Sequence, residues 1–211
     1  MPFDPAKHHR RSIRLKAYDY AQTGVYFVTI CAYQRECLFG QVENEMMVLS
    51  QCGRIVEQCW KALPRDFPRV KLDVFVVMPN HLHGILILTG RHTAGRGEAF
   101  ARHPKEQPQS TPANASPLRS AHGTQPGSVA AIVQNFKSIS TRKINRIRAT
   151  PGMPVWQRNY HEHIVRDEAE LSRIREYLGN NPLQWAIDRE NPLVGAEPKP
   201  ARTGRDEPWR V

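Results

Sequence analysis

The chain has 211 residues, of which 40% are hydrophobic, and a formal net charge of +10. The length suits one domain with appendages, and the hydrophobic share predicts that part of the chain stays outside any core. No run approaches the roughly 18 consecutive apolar residues of a membrane span, and the N-terminus lacks the apolar stretch of a signal peptide. We therefore expect a cytoplasmic protein without a membrane partner, and the positive charge predicts a polyanionic partner such as nucleic acid.

The first half of the chain predicts three main strands, one short strand and one helix. Residues 24–33 alternate in a β-rich pattern that is typical of a strand, and residues 35–40 indicate a turn into a short strand. Residues 46–63 carry apolar side chains at helical spacing and predict a helix. Residues 70–78 and 81–88 predict two further strands joined by a tight connection, as in a hairpin.

Composition sets residues 91–127 apart from the rest. This segment is rich in proline and holds almost no large apolar side chain, so it cannot bury enough surface to offset its ordering entropy. We predict a disordered insertion there and a disordered tail at 191–211. After the insertion, an apolar stripe from Val129 to Ile147 predicts a helix, and residues 155–165 predict a strand.

The last predicted helix spans residues 167–181. Asp167 is suited to its N-cap, with Glu170 three residues later as in a capping box. Gly179 and Pro182 indicate its end. Strands interleaved with helices and tight strand-to-strand turns together predict an α+β fold with a mainly antiparallel sheet.

The candidate chemistry begins in VVMPNHLHGILIL, residues 76–88. Residues two apart in a strand point to one face, so His81 and His83 lie side by side. They could bind one metal ion, for which the spacing alone favours Zn²⁺, or they could be hydrogen-bonded or solvent-facing histidines. Tyr177 and Asn181, four apart on one helical face, could supply a nucleophile and a third ligand. The plain alternative is a tyrosine that packs its ring and leaves its hydroxyl in water.

Several motifs occur in a specific order along the chain. MPNHLHGIL is followed far downstream by WQRNYHEHIVRDEAELSRIREYLGNNP, which contains W-Q, E-H-x-x-R and Y-x-x-x-N-P. In this order the motifs resemble the HUH single-tyrosine transposases, and most of all the REP-associated tyrosine transposases. The likeness covers most of residues 9–188 apart from the insertion. It implies a ferredoxin-like fold, with the histidine strand central in an antiparallel sheet and helices packed on it.

The resemblance also implies roles for four side chains. His81 and His83 match the metal-binding pair, Asn181 the polar residue that completes the metal site, and Tyr177 the nucleophile. Relatives use Mg²⁺ or Mn²⁺, which replaces the zinc expectation. The implied reaction is nicking and strand transfer on single-stranded DNA beside small palindromic hairpins, through a 5′-phosphotyrosine intermediate, in DNA transposition. The implied enzyme is a monomer or a homodimer.

Basic side chains cluster near the N-terminus and on the helix after the insertion. We expect DNA contacts from these residues and from one histidine: Arg11, Arg14, Lys137, Arg142, Lys143 and His163. For the helix residues the alternative is a solvated face, and for His163 it is a structural hydrogen bond. Trp156 could stack on a base or anchor the core.

A second H-x-H lies in YHEHI, where His161 and His163 could form a rival metal site with Tyr160 as nucleophile. That arrangement leaves Asn181 without a role. Two other classes of protein stay open. A zinc-dependent hydrolase would bind Zn²⁺ and would not need Tyr177, whereas a non-catalytic or domesticated relative would still bind DNA hairpins after Tyr177→Phe.

Overall fold

The computed structural model describes residues 18–90 and 124–188, together with residues 191, 192 and 194. Most of the predicted insertion and tail therefore lies outside the described residues, as do Arg11 and Arg14. None of the helices in the described ranges is long and apolar enough to cross a membrane.

Within the described ranges, six strands and four helices carry the fold. In chain order they are β1 (Gly24–Cys31), β2 (Gly40–Glu43), β3 (Met46–Leu49), α1 (Gln51–Lys61), the short α2 (Leu63–Asp66), β4 (Val70–Val77), β5 (His81–Leu88), α3 (Val129–Arg148), β6 (His161–Val165) and α4 (Glu168–Gln184). One-turn 3₁₀ helices occupy Tyr33–Arg35 and Trp185–Ile187.

The main sheet has the strand order β4-β5-β1-β6, and every pair in it is antiparallel. Strands β2 and β3 form a separate hairpin. With α1 between β1 and β4 and α3 between β5 and β6, the order is that of a ferredoxin-like fold. The α+β prediction is confirmed, and the histidine strand β5 lies inside the sheet, as expected.

Three predicted boundaries are wrong. Strand β6 begins at His161 rather than at residue 155, since residues 155 and 157 bond instead to the backbone near the end of β1. Residues 46–49 form strand β3 rather than the start of a helix, because they pair with β2, and α1 begins only after Ser50, whose hydroxyl caps Gly53 N–H. Helix α4 runs through Pro182 to Gln184. Asn181 stays helical despite the following proline, since its side chain is buried at the end of the stripe that packs on the sheet.

Helices pack on both faces of the main sheet. On one face, α1 and α3 cover a large core to which β5 contributes Leu82 and Leu86. On the other face, Ile85 of β5 packs with Leu171, Ile174 and Leu178 of α4 in a second cluster. Strand alternation therefore directs the side chains of β5 at odd positions, including both histidines, toward α4.

Strand β5 has room only for a glycine at position 84, where it packs against α1. A Cβ atom at this position would lie 2.4 Å from an indole carbon of Trp60, whose side chain is fully buried. The glycine, which directly follows His83, thus leaves room for the Trp60 ring against the strand.

Candidate active site

The first histidine pair is buried in the middle of the sheet. His81 is 0% exposed and His83 4% exposed, and in the register between β1 and β5 they lie opposite Cys31 and Thr29. Buried imidazoles on an internal strand are uncommon unless their nitrogens are used.

Neighbouring polar groups fix the orientation of both rings. The Asn80 amide nitrogen donates to the Arg35 carbonyl at 3.2 Å, which leaves its Oδ1 to accept from His81 Nδ1 at 2.8 Å. On the other ring, His83 Nδ1 lies 2.8 Å from the Thr29 hydroxyl. Since both Nδ1 atoms are occupied, both Nε2 atoms are left to face the site, which is the arrangement that second-shell groups give to histidine ligands of metals.

Helix α4 brings two further groups to this place. The Tyr177 hydroxyl lies 3.4 Å from His83 Nε2. Asn181, one turn later, is 1% exposed. Its Oδ1 and His81 Nε2 are both buried, and neither forms a hydrogen bond within the described ranges. Buried polar atoms without partners are uncommon in proteins and call for a physical explanation. A bound ion would satisfy these two atoms together with His83 Nε2, and the three atoms fit the donor set of a metal site.

The electrostatics keep both imidazoles neutral. Burial, helped by the charge of Arg35, lowers the pKa of His81 to about 3, although the nearby Asn181 amide acts in the opposite direction without reaching hydrogen-bond geometry. Burial, followed by the charges of His81 and His161, lowers the pKa of His83 well below its usual range. A metal ligand must be the neutral imidazole, so burial places both rings in the competent form.

Two aromatic rings complete the surroundings. Phe27 stacks on His83 with ring centroids 5.5 Å apart, and the Phe27 and Tyr177 centroids lie 6.5 Å apart in a T-shaped arrangement. The Trp185 ring lies 6.1 Å from the His81 ring. The sequence alone did not indicate Phe27, Thr29, Asn80 or Trp185 as residues of the site. Thr29 carried a weak signal as a polar residue at an inward position of an apolar strand.

The second histidine pair lies on the edge strand β6. His161 and His163 are half-buried and pair in register with Thr29 and Phe27 of β1, so they face the same side of the sheet as the first pair. His163 Nε2 is 2.8 Å from a carboxylate oxygen of Glu170. This is the structural hydrogen bond that the sequence left open for His163.

Glu170 joins the start of α4 to the edge of the sheet. Asp167 caps the helix as predicted, with its carboxylate accepting from Glu170 N–H at 2.7 Å. The Glu170 side chain does not return to Asp167 as in a capping box. One of its oxygens accepts from Arg166 N–H at 2.7 Å while the other meets His163. The second pair is thus tied into the scaffold of the tyrosine helix.

The rival nucleophile is engaged elsewhere. The Tyr160 hydroxyl donates to a Glu162 carboxylate oxygen at 2.7 Å, and the Lys137 ammonium lies 5.4 Å from the Tyr160 ring centroid. Tyr160 therefore belongs to a polar cluster beside α3, whereas the tyrosine that reaches an imidazole of the first pair is Tyr177.

The structure divides the predicted basic residues into two groups. Lys137 donates to the carbonyls of residues 157, 158 and 159 at 2.9, 3.4 and 3.1 Å, and burial lowers its pKa to about 8. Its ammonium therefore holds the loop before β6, which the sequence did not indicate. Arg142 and Lys143 are exposed and line one surface of α3 with Arg146.

Trp156 belongs to the core. It is 6% exposed, and its indole N–H donates to the Ser140 hydroxyl at 2.9 Å. Of the two roles considered for it, base stacking and core anchoring, its environment matches the second.

No protein-family model matches the sequence. An uncharacterized protein from Haemophilus influenzae is 42% identical over 185 residues, which is 86% of this chain and 93% of that protein. Among solved structures, a REP-associated tyrosine transposase bound to a REP hairpin is similar at a TM-score of 0.50 and 16% identity, covering 82% of this chain and 74% of that one. A Deinococcus radiodurans protein, provisionally assigned as a transposase, reaches 0.41 at 13% identity over 80% of this chain and 97% of its own. That TM-score adds no argument.

Proposed function

We propose that this chain, which belongs to one family with the Haemophilus influenzae protein and has a tyrosine-transposase fold, nicks single-stranded DNA and transfers the cut strand. One observation carries the proposal. The Tyr177 hydroxyl, the neutral imidazoles of His81 and His83 and the orphaned Asn181 amide oxygen converge on one buried place.

The donor set supports a divalent metal as cofactor. His81 and His83 would hold it through Nε2, and Asn181 would hold it through Oδ1. No group of three His, Cys, Asp or Glu side chains in the described ranges could hold a metal ion, and an amide oxygen suits Mg²⁺ or Mn²⁺ better than zinc. When bound, such an ion polarises the scissile phosphate and offsets the charge that develops during attack.

Tyr177 is the nucleophile in this proposal. Its oxygen attacks the phosphorus and forms a new O–P bond, the bond from phosphorus to the 3′ oxygen breaks, and the released 3′ oxygen takes up a proton. The tyrosine proton must leave during attack, because the ordinary pKa of a phenol is near 10. The phosphotyrosine link conserves the energy of the broken bond, so a 3′-hydroxyl can reverse the step without a nucleotide cofactor.

Side chains around the ligands prepare the site for this step. Asn80 and Thr29 engage the Nδ1 atoms of His81 and His83, which leaves each Nε2 for a ligand, and the two ring centroids lie 4.5 Å apart. Phe27, which is fully buried, stacks on His83 and lies near Tyr177 in a T-shaped arrangement, so one apolar ring lies beside both groups. Preorganised ligands cost less reorganisation when the substrate binds.

The DNA partner is proposed to be a single strand beside a hairpin. The similar solved transposase was bound to a hairpin, and the exposed Arg142 and Lys143 would contact phosphates on α3. Replacing both with Gln should weaken the binding of all single strands about equally and reduce the slope of log affinity against log salt by about 1 to 2. A loss confined to one sequence would mean that these residues read bases.

The proposal is tested by trapping the covalent intermediate. Wild-type protein, Tyr177→Phe and Tyr160→Phe are each incubated with Mn²⁺ and 3′-labelled single-stranded genomic fragments. A denaturing gel follows, and the trapped DNA is sequenced. A 5′-phosphotyrosine link carries the 3′ fragment onto the protein. Wild type and Tyr160→Phe should form the adduct, whereas Tyr177→Phe should fold and bind DNA but form none.

The other outcomes separate the alternatives. An adduct of undiminished yield in Tyr177→Phe would end the assignment of the nucleophile. Cleavage without any adduct in the wild type would favour a hydrolase. Hairpin binding without cleavage or adduct, unchanged in Tyr177→Phe, would indicate a non-catalytic DNA-binding protein.

A further inference from the structure

Trp185 lies on the same side of α4 as the proposed nucleophile and the proposed third metal ligand. Tyr177, Asn181 and Trp185 follow one another at intervals of four residues, which places them on one side of a helix. Trp185 is the C-cap of α4 and begins the 3₁₀ turn Trp185–Ile187. Its ring lies 6.1 Å from the His81 ring, at an interplanar angle of 43°.

This indole differs from the other described tryptophans. Trp60 is fully buried behind β5, where its indole N–H also has no partner among the described residues, and Trp156 is 6% exposed with its N–H bonded to Ser140. What sets Trp185 apart is its exposure. Trp185 is half-buried, and its indole N–H has no hydrogen-bond partner among the described residues. An indole placed at a wet surface with a free N–H offers both a π-face and a donor.

The backbone at Trp185 is held in place. Its N–H donates to the Pro182 carbonyl, and its own carbonyl accepts from Asp188 N–H at 3.2 Å and from the Asn191 amide at 3.0 Å. The ring is therefore presented from a fixed turn, so little conformational entropy is lost when it contacts a ligand.

We propose that Trp185 is a stacking platform for the base of a nucleotide that flanks the scissile phosphate. The inference rests on the proposed function, because it places that phosphate at His81, His83 and Asn181. A base one nucleotide away is unpaired in a single strand, so its face can turn toward a ring beside His81. Aromatic stacking accepts any base and changes affinity by roughly five- to 150-fold. Trp185 would thus position the cleaved strand without reading its sequence.

The test uses the single strand recovered as an adduct, with 2-aminopurine at either nucleotide flanking the cleaved bond. Binding is measured in a Tyr177→Phe background, so that no cleavage occurs. Wild-type Trp185 should quench 2-aminopurine at one of the two positions, Trp185→Phe should retain most of the quenching, and Trp185→Ala should lose it. Trp185→Ala should also bind this strand at least about fivefold more weakly.

An abasic nucleotide at the quenched position completes a double-mutant cycle. Stacking predicts that Trp185→Ala weakens binding of the normal strand but not of the abasic strand. Equal losses on both strands, or no quenching at either position by the wild type, would show that the indole only covers His81. If Trp185→Ala does not fold, Trp185→Leu takes its place in both measurements, with the same expected losses. Absence of any adduct in the wild type would instead remove the proposed function itself.

Discussion

The chain carries two H-x-H pairs on one face of the main sheet. The two pairs differ in burial and in the hydrogen-bond partners of their rings. His81 and His83 lie on an internal strand, fully or almost fully buried, with each Nδ1 occupied and His81 Nε2 left without a partner. His161 and His163 lie on an edge strand, half-buried, with His163 joined to Glu170.

The difference shows that spacing alone does not define a metal site. Both pairs satisfy the alternation rule of a strand, and the contact with Glu170 orients His163 as well, but among the described contacts the Tyr177 hydroxyl reaches the first pair. Helix α4 connects the two pairs, because Glu170 near its start contacts His163 and Tyr177 two turns later contacts His83. The second pair therefore supports the helix that serves the first.

The largest expected effect comes from replacing the histidines. His81→Ala and His83→Ala should each reduce adduct formation at least about 100-fold, because the ion loses a ligand, whereas hairpin binding should persist through backbone contacts. His161→Ala is the matched control and should stay within a few-fold of wild type. The measurement is adduct yield on a denaturing gel across Mn²⁺ concentrations. Loss in His161→Ala with activity retained in both other variants would move the metal site to β6.

A smaller effect is expected from the group that orients His81. Asn80→Ala should weaken Mn²⁺ binding about 10- to 100-fold, and Asn80→Asp, which keeps an acceptor for Nδ1–H, should retain much of the affinity. Calorimetry with Mn²⁺ measures both. Glu170→Gln alters the group that contacts His163, as Asn80→Ala alters the group that contacts His81, and it should leave the Mn²⁺ affinity unchanged. A loss of Mn²⁺ affinity in Glu170→Gln as large as in Asn80→Ala would contradict the assignment of metal binding to the first histidine pair alone.

Helix α4 is also held at the opposite edge of the sheet. Arg175 contacts both carboxylate oxygens of Asp73 on β4, at 3.2 and 2.6 Å, and this contact lowers the pKa of Asp73 below its ordinary 3.8. Because the folded pKa is depressed, the stabilisation is present above about pH 4 and is lost as the pH falls through the lower folded value.

Asp73→Asn should therefore lower stability at pH 7 by about 1 kcal/mol, a modest figure since Arg175 is partly exposed. The melting temperature should fall by roughly 2–4 °C. The difference between variant and wild type should shrink as the pH falls from 4 toward 2, and thermal melts across this range measure it. A difference that does not depend on pH would show that the ion pair is not its source.

The smallest expected effect is a gain in stability. Gly179 is an exposed residue of α4 between Tyr177 and Asn181, and a Cβ atom there would meet nothing within 4 Å. Gly179→Ala should stabilise the protein by about 0.5–1 kcal/mol through helix propensity, with adduct yield unchanged. Denaturant unfolding measures the gain. A fall in adduct yield at raised stability would indicate that the helix must bend there during the reaction.

The sequence was most informative where periodicity or local chemistry decides the structure. Strands β1, β4 and β5 follow from alternation and apolar runs, and the start of α4 follows from Asp167. The helix expected at 46–63 was wrong at its start because apolar spacing continues across Ser50, while the pairing of 46–49 with β2 is not visible in either segment alone. The end of α4 was wrong because burial of Asn181 outweighs the bias that Pro182 imposes.

The site divides in the same way. The order of the motifs predicted a site made of His81, His83, Tyr177 and Asn181. What surrounds these side chains depends on contacts between distant segments, which the motifs do not reveal. Thr29 reaches His83 only through the β1–β5 register. Lys137 looked like a surface cation, because a helical pattern does not reveal that a loop some twenty residues later places three carbonyls over its ammonium.

The glycine after the second histidine has a consequence for transplanting this site. A Cβ atom at Gly84 would meet the Trp60 ring. The set of residues that must be transferred together therefore includes Trp60, on a helix that covers the opposite face of the sheet, as well as the H-x-H pair. A designer who grafts the two histidines onto another ferredoxin-like sheet must also install a glycine after them and a large aromatic ring behind it. Either change alone leaves a void or an overlap, because a core packed to crystal-like density accommodates neither.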